Sequence, residues 1–62
     1  MTRTYAAKRL LEHGPLTNRE FRTITGWDEG TVSSALRNLL ATGVAVFHQP
    51  PGSRHFVYRL AA

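Results

Sequence analysis

The most regular pattern of apolar and polar positions lies between Asp28 and Gly43, in DEGTVSSALRNLLATG, where Val32, Ala35, Leu36, Leu39 and Leu40 recur at i, i+3, i+4, i+7 and i+8. At about 100° per residue these side chains form one stripe along a helix, and such a stripe requires a core to cover it. Both ends of the helix are marked. Asp28 suits the N-cap, where its carboxylate can accept the otherwise unpaired amide of Thr31, and Glu29 places negative charge in the first turn. Gly43 can adopt the left-handed conformation that closes a helix. The side opposite the stripe carries Gly30, Ser34, Arg37, Asn38 and Ala41, flanked by Thr31 and Ser33. It is small and polar, and suits close approach to a polar surface.

Two shorter helices are expected before it. Thr2 or Thr4 can cap a first helix running to about His13, with Tyr5, Ala6, Ala7, Leu10 and Leu11 on its apolar side and Gly14-Pro15 as its stop. Thr17-Asn18-Arg19-Glu20 then reads as a T-x-x-E capping box, and Leu16 and Phe21 fit the hydrophobic staple around it. Phe21 and Ile24 are expected to face the core, Gly26 to end this second helix, and Trp27 to fold back over its last turn. So little chain separates it from Asp28 that the two helices should cross steeply.

After Gly43 the period changes from helical to two. Val44 and Val46 alternate with Ala45 and Phe47, Pro50-Pro51-Gly52-Ser53 intervenes, and Phe56, Tyr58 and Leu60 then alternate with His55, Val57 and Arg59. This is a hairpin signal. If Val44 and Val46 share the core face with Phe56, Tyr58 and Leu60, the loop centres on Pro51 and holds three to five residues. Pro51-Gly52 suits the middle of a type II turn. Phe47 would then lie on the outer face with Val57, an exposed pair fit for a homodimer or for contact with a neighbouring protein. Arg59 would lie on the outer face as a solubility charge.

Composition bounds the size and the partners. With 62 residues and no cysteine, the chain is expected to form a single domain, 1–62, with one modest core and no disulfide. No run is apolar enough for a membrane helix, and the start lacks the apolar block of a signal peptide, so a cytoplasmic protein is expected. Eight Lys and Arg stand against four Asp and Glu, a net charge of +4. Glu20, Asp28 and Glu29 all fall in first turns of expected helices, which leaves Glu12 to offset the cations elsewhere. Seven of the cations are arginines, the side chain that matches phosphate and guanine edges bidentately.

Helix, short capped helix, longer helix and hairpin follow the order of a winged helix-turn-helix domain. LLEHGPLTNREF, TGW, GTVSSALRNLLATGVAV and FVYRL resemble the small winged-helix transcriptional regulators of bacteria and their phages, over nearly the whole chain. The resemblance implies an α+β fold of three helices followed by a two-stranded β-hairpin wing, and double-stranded DNA as the partner. It places the third helix in the major groove, the second across the backbone, and the wing on phosphates or an adjacent minor groove.

Carried over by residue, this puts Thr31, Ser33, Ser34, Arg37 and Asn38 at base edges or nearby phosphates. Arg37 suits guanine O6 and N7, and Asn38 suits adenine N6 and N7. No carboxylate stands at i±3 or i±4 from Arg37 to claim it. Thr17, Arg19 and Arg22 fall where the second helix meets phosphates, although Arg19 has acids nearby to pair with. Arg54 and His55 fall in the wing. The Pro-Pro of the wing invites comparison with winged helices that bind left-handed DNA or RNA, but Thr42 and Gly52-Ser53-Arg54 occupy the places where those domains carry aromatics.

Other chemistry finds little footing. His13, His48 and His55 are scattered without metal-ligand spacing, and no serine or histidine belongs to a nucleophile motif. The expectation is therefore no metal, no cofactor, no small-molecule ligand and no catalysis. The rival class is a winged helix that binds a protein, as a phage-type inhibitor or adaptor, and an acidic outer face would have favoured it.

Overall fold

A computed structural model describes residues 2–61, in the order α1 (Arg3–Leu11), β1 (Leu16–Thr17), α2 (Asn18–Thr25), α3 (Glu29–Ala41), β2 (Ala45–His48) and β3 (Val57–Leu60). The class is α+β, three helices with an antiparallel sheet of strand order β1-β3-β2. The sheet is thus larger by one strand than the hairpin alone. Leu16 and Thr17 lie opposite Tyr58 and Val57, pairing that a two-residue strand cannot announce through any periodicity of its own.

Each helix starts as its residues dictate. The Thr2 side chain accepts the Tyr5 amide, and Thr17 and Glu20 form the reciprocal capping box. Asp28 accepts the Thr31 amide at 2.7 Å. α1 stops at Leu11, short of His13, because the amides of His13 and Gly14 turn back to the carbonyls of Leu10 and Leu11. α3 ends in a Schellman motif in which Gly43, at φ 77°, donates to Leu40 and Val44 donates to Leu39.

The core consists of Ala7 and Leu11 from α1, Phe21 from α2, Val32, Ala35, Leu36 and Leu39 from α3, and Ala45 from β2. Leu10, Leu16, Trp27, Leu40, Val44, Tyr58 and Leu60 pack around it. Ile24 is not a core residue: it is 55% exposed, and Tyr5 is 45% exposed. α2 has only eight residues and crosses α3, so the single large side chain at the crossing, Phe21, fills the contact. Ile24, one turn on, is carried towards α1 and lies beside Tyr5, Ala6 and Leu10 in an open groove.

The hairpin register also differs from the expected one. Ala45 pairs with Leu60, Val46 with Arg59, Phe47 with Tyr58 and His48 with Val57. The Schellman closure uses Val44 to cover the last turn of α3, so the strand starts at Ala45 with the opposite parity. A shift of one residue exchanges the faces. Ala45, not Val46, is buried against α3, and Phe47 shares its face with Tyr58 while Val57 lies on the other side beside His48. The expected Phe47 and Val57 pair is therefore not formed. Arg59 is exposed opposite Val46, on the outer face as expected.

The loop spans 49–56, longer than expected. Its tip is the anticipated turn: Ser53 donates to the Pro50 carbonyl across Pro51 and Gly52, and Gly52 has φ 78°. Gln49 Nε2 donates to the Ser53 carbonyl at 2.8 Å, and Ser53 Oγ accepts the His55 amide at 3.1 Å, so the loop carries its own braces.

Candidate functional site

The inner face of the sheet is core at its Ala45–Leu60 end, while towards Phe47, which is 50% exposed, it overhangs the core with Tyr58 packed at the core's edge. Between that overhang, α2 and the start of α3 lies an open cleft of about 670 Å³. α2 contributes Asn18, Arg19 and Arg22, and α3 contributes Glu29 and Ser33. The hairpin contributes Arg54, His55, Phe56 and Tyr58. Residues from three separate parts of the chain thus line one concavity, because β1 ties the start of α2 to β3.

Three guanidinium groups face one carboxylate, that of Glu29. The one ion pair among the described residues joins Arg9 and Glu12 on α1 at 2.9 Å, with both side chains substantially exposed. Arg19, Arg22 and Arg54 therefore have no carboxylate partner among the described residues, and Arg19 does not take the acid neighbours its sequence position offers. A guanidinium fork without an internal partner is a ready site for a bidentate oxyanion. Asn18 Nδ2 donates to Ser33 Oγ at 3.3 Å and bridges α2 to α3 at the cleft wall.

The expected contact residues of α3 divide between two surfaces. Ser33 belongs to the cleft. Thr31, Ser34 and Asn38 lie on the other flank, against Arg3 and Thr4 of α1, around a smaller hollow of about 240 Å³. Asn38 Nδ2 donates to Thr4 Oγ1 at 3.2 Å, so its amide is already engaged with α1. Arg37 is exposed and lies outside both hollows, one turn after Ser33.

Two residues are committed to caps. Thr17 accepts the Glu20 amide at 3.2 Å while its own amide donates to Glu20 Oε1 at 2.9 Å. Thr31 donates its amide to Asp28, and that hydrogen bond, helped by the Thr31 hydroxyl and the charge of Arg3, holds the Asp28 carboxyl below its ordinary value. These acids stabilise helix starts and do not neutralise the arginines of the cleft.

Arg3, Asn18, Phe56 and Tyr58 join the candidate surfaces although the sequence pattern did not single them out. Phe56 and Tyr58 alternate as core residues in the sequence, and only the pairing of Tyr58 with Leu16 beside α2 brings that end of the hairpin to the cleft. Arg3 lies 28 positions before Thr31, and nothing local links the two. Among the described residues no group of three or more His, Asp or Glu could hold a metal ion, and no helix is long and apolar enough to cross a membrane.

Compared with protein-family models, with curated proteins and with solved structures, the chain finds no match.

Proposed function

We propose that the chain is a winged helix-turn-helix domain that binds double-stranded DNA and regulates transcription by occupying its site, as in bacteria and their phages. The observation that carries this reading is the convergence of Arg19, Arg22 and Arg54 on one concavity beside Ser33, with none of them paired to a carboxylate among the described residues. In this reading Arg37 and Ser33 present the outer face of α3 to base edges in the major groove. Arg19 and Arg22 from α2, with Arg54 and His55 from the hairpin, close on phosphates of the backbone that lies along the cleft. Arg3 extends the positive surface on the far flank of α3.

The chemistry is electrostatic and geometric. Cationic forks release counterions from the phosphates they neutralise, and the rigid scaffold sets which base pairs α3 meets. Neutralising about four phosphates gives a slope near −3.6 in log K against log salt, or roughly a hundredfold loss of affinity between 50 and 200 mM. Titration of a labelled duplex over that range tests the reading. A flat salt response, or no binding at low salt, would reject it in favour of a protein partner, the reading that draws on the exposed Phe47 and Phe56.

A further inference from the structure

The duplex reading uses the arginines of the cleft and leaves its aromatic wall idle. Phe56 is 45% exposed and forms that wall with half-buried Tyr58. The Phe47 ring meets Phe56 edge-on, with centroids 5.0 Å apart and planes at 81°, and lies 6.0 Å from the Tyr58 ring. Such edge-to-face packing restrains the Phe56 ring on the hairpin. The Gln49 and Ser53 hydrogen bonds fix the loop that carries it.

A paired duplex offers phosphates to Arg19, Arg22 and Arg54, but the faces of its bases are covered by their neighbours in the stack. An exposed aromatic beside cationic forks gains from DNA only where a base has left that stack. Aromatic side chains next to a positive groove are the means by which unpaired nucleotides are held, with stacking worth about 1–3 kcal/mol per base. The cleft volume of about 670 Å³ lies within the ~300–1,000 Å³ of small-ligand sites, room for one nucleotide. Glu29 stands at the same cleft and can accept from an exocyclic amino group such as cytosine N4.

We propose that the cleft between α2 and the hairpin takes an unstacked nucleotide, its phosphate on Arg19, Arg22 and Arg54 and its base against Phe56. The protein then prefers duplex DNA that continues into a short single strand over the same duplex with a blunt end. This inference rests on the duplex reading and deepens it, because the arginines that meet backbone phosphates in a duplex hold the phosphate of the unstacked nucleotide at its end.

The test is fluorescence anisotropy on one labelled duplex prepared blunt and with a short cytosine extension, together with the free single strand, using the wild type, Phe56→Ala and Phe56→Leu. The extension should tighten wild-type binding by about tenfold, the equivalent of one stacked base. Both variants should lose that gain and keep the blunt-duplex affinity, because leucine restores bulk but no aromatic face. Circular dichroism should show all three folded alike, since Phe56 is outside the core.

Equal affinity for blunt and extended duplex overturns the cleft site and leaves the duplex reading standing. Equal weakening of both ligands by Phe56→Ala also overturns it, since the ring would then only shape the loop. Binding of the single strand without any duplex binding supports the cleft and rejects the duplex reading. Failure of all three DNAs, with binding of polyglutamate instead, overturns both in favour of an acidic protein partner.

Discussion

Thr17 lies opposite Val57 in the sheet while its hydroxyl accepts the Glu20 amide, so the residue that starts α2 also anchors that helix to the hairpin. Strand pairing thereby ties the helix that carries Arg19 and Arg22 to the hairpin that carries Arg54. Replacing Thr17 by alanine removes the cap and should lower stability by about 1 kcal/mol. In a domain of this size that is a fall of about 4–8 °C in melting temperature. Thr17→Ser keeps the hydroxyl and should restore most of it. Thermal unfolding followed by circular dichroism checks both, and equal losses for the two variants would assign the effect to the methyl group.

Phe21 and Ile24 occupy one helix yet should respond very differently to truncation. Phe21 is fully buried, so Phe21→Ala should cost about 3–5 kcal/mol. That approaches the whole stability of so small a domain, at about 0.05–0.15 kcal/mol per residue. Ile24→Ala removes a largely exposed side chain and should change stability by about 0.5 kcal/mol. Urea denaturation of each variant measures the contrast, and a large loss at Ile24 would show that the groove beside α1 is closed in solution.

Acid should loosen the start of α3. The Asp28 carboxyl lies below its ordinary value because the Thr31 amide and hydroxyl, with Arg3, favour its charged form. A carboxyl depressed in the native state contributes stability that is complete above the unfolded value, about pH 4, and is lost as pH falls through it towards the native value. Asp28→Asn keeps an acceptor for Thr31 but cannot titrate. Melting temperature measured from pH 7 to pH 2 should therefore fall less steeply for the variant in the acid limb, and parallel curves would exclude Asp28 as a contributor.

Arg37 and Arg54 should fail in different ways under the proposed function. Arg37 stands on α3, whose capped and packed axis fixes the direction in which the side chain leaves the helix. Arg37→Ala should cost about 1–3 kcal/mol on the preferred duplex and relax discrimination at one base pair. Arg54 stands in the hairpin loop, and Arg54→Ala should weaken preferred and random duplexes alike while reducing the salt slope by about one. Competition binding against a randomised duplex pool separates the two patterns, and the reverse outcome would place the reading element in the hairpin.

Local chemistry was enough to determine the helices from the amino-acid order. Asp28, Thr17 with Glu20, Gly26 and Gly43 mark ends through bonds that span three to five residues, and the stripe from Val32 to Leu39 names its own buried face. The excess of arginine, and the posting of three of the four acids at helix starts, were legible for the same reason. What only the tertiary structure decided is whatever depends on contacts between distant segments. The pairing of Leu16 with Tyr58 adds a strand too short to show a period, and the use of Val44 in closing α3 flips the parity of β2. That flip moves Ala45 under α3 and brings Phe47 against Phe56 and Tyr58. The pairing of β1 with β3 gathers Arg19, Arg22 and Arg54, separated by up to 35 positions, around one cleft. Caps and stripes are governed by neighbours along the chain, whereas a one-residue strand register, with its exchange of faces, is chosen by the packing of the whole domain.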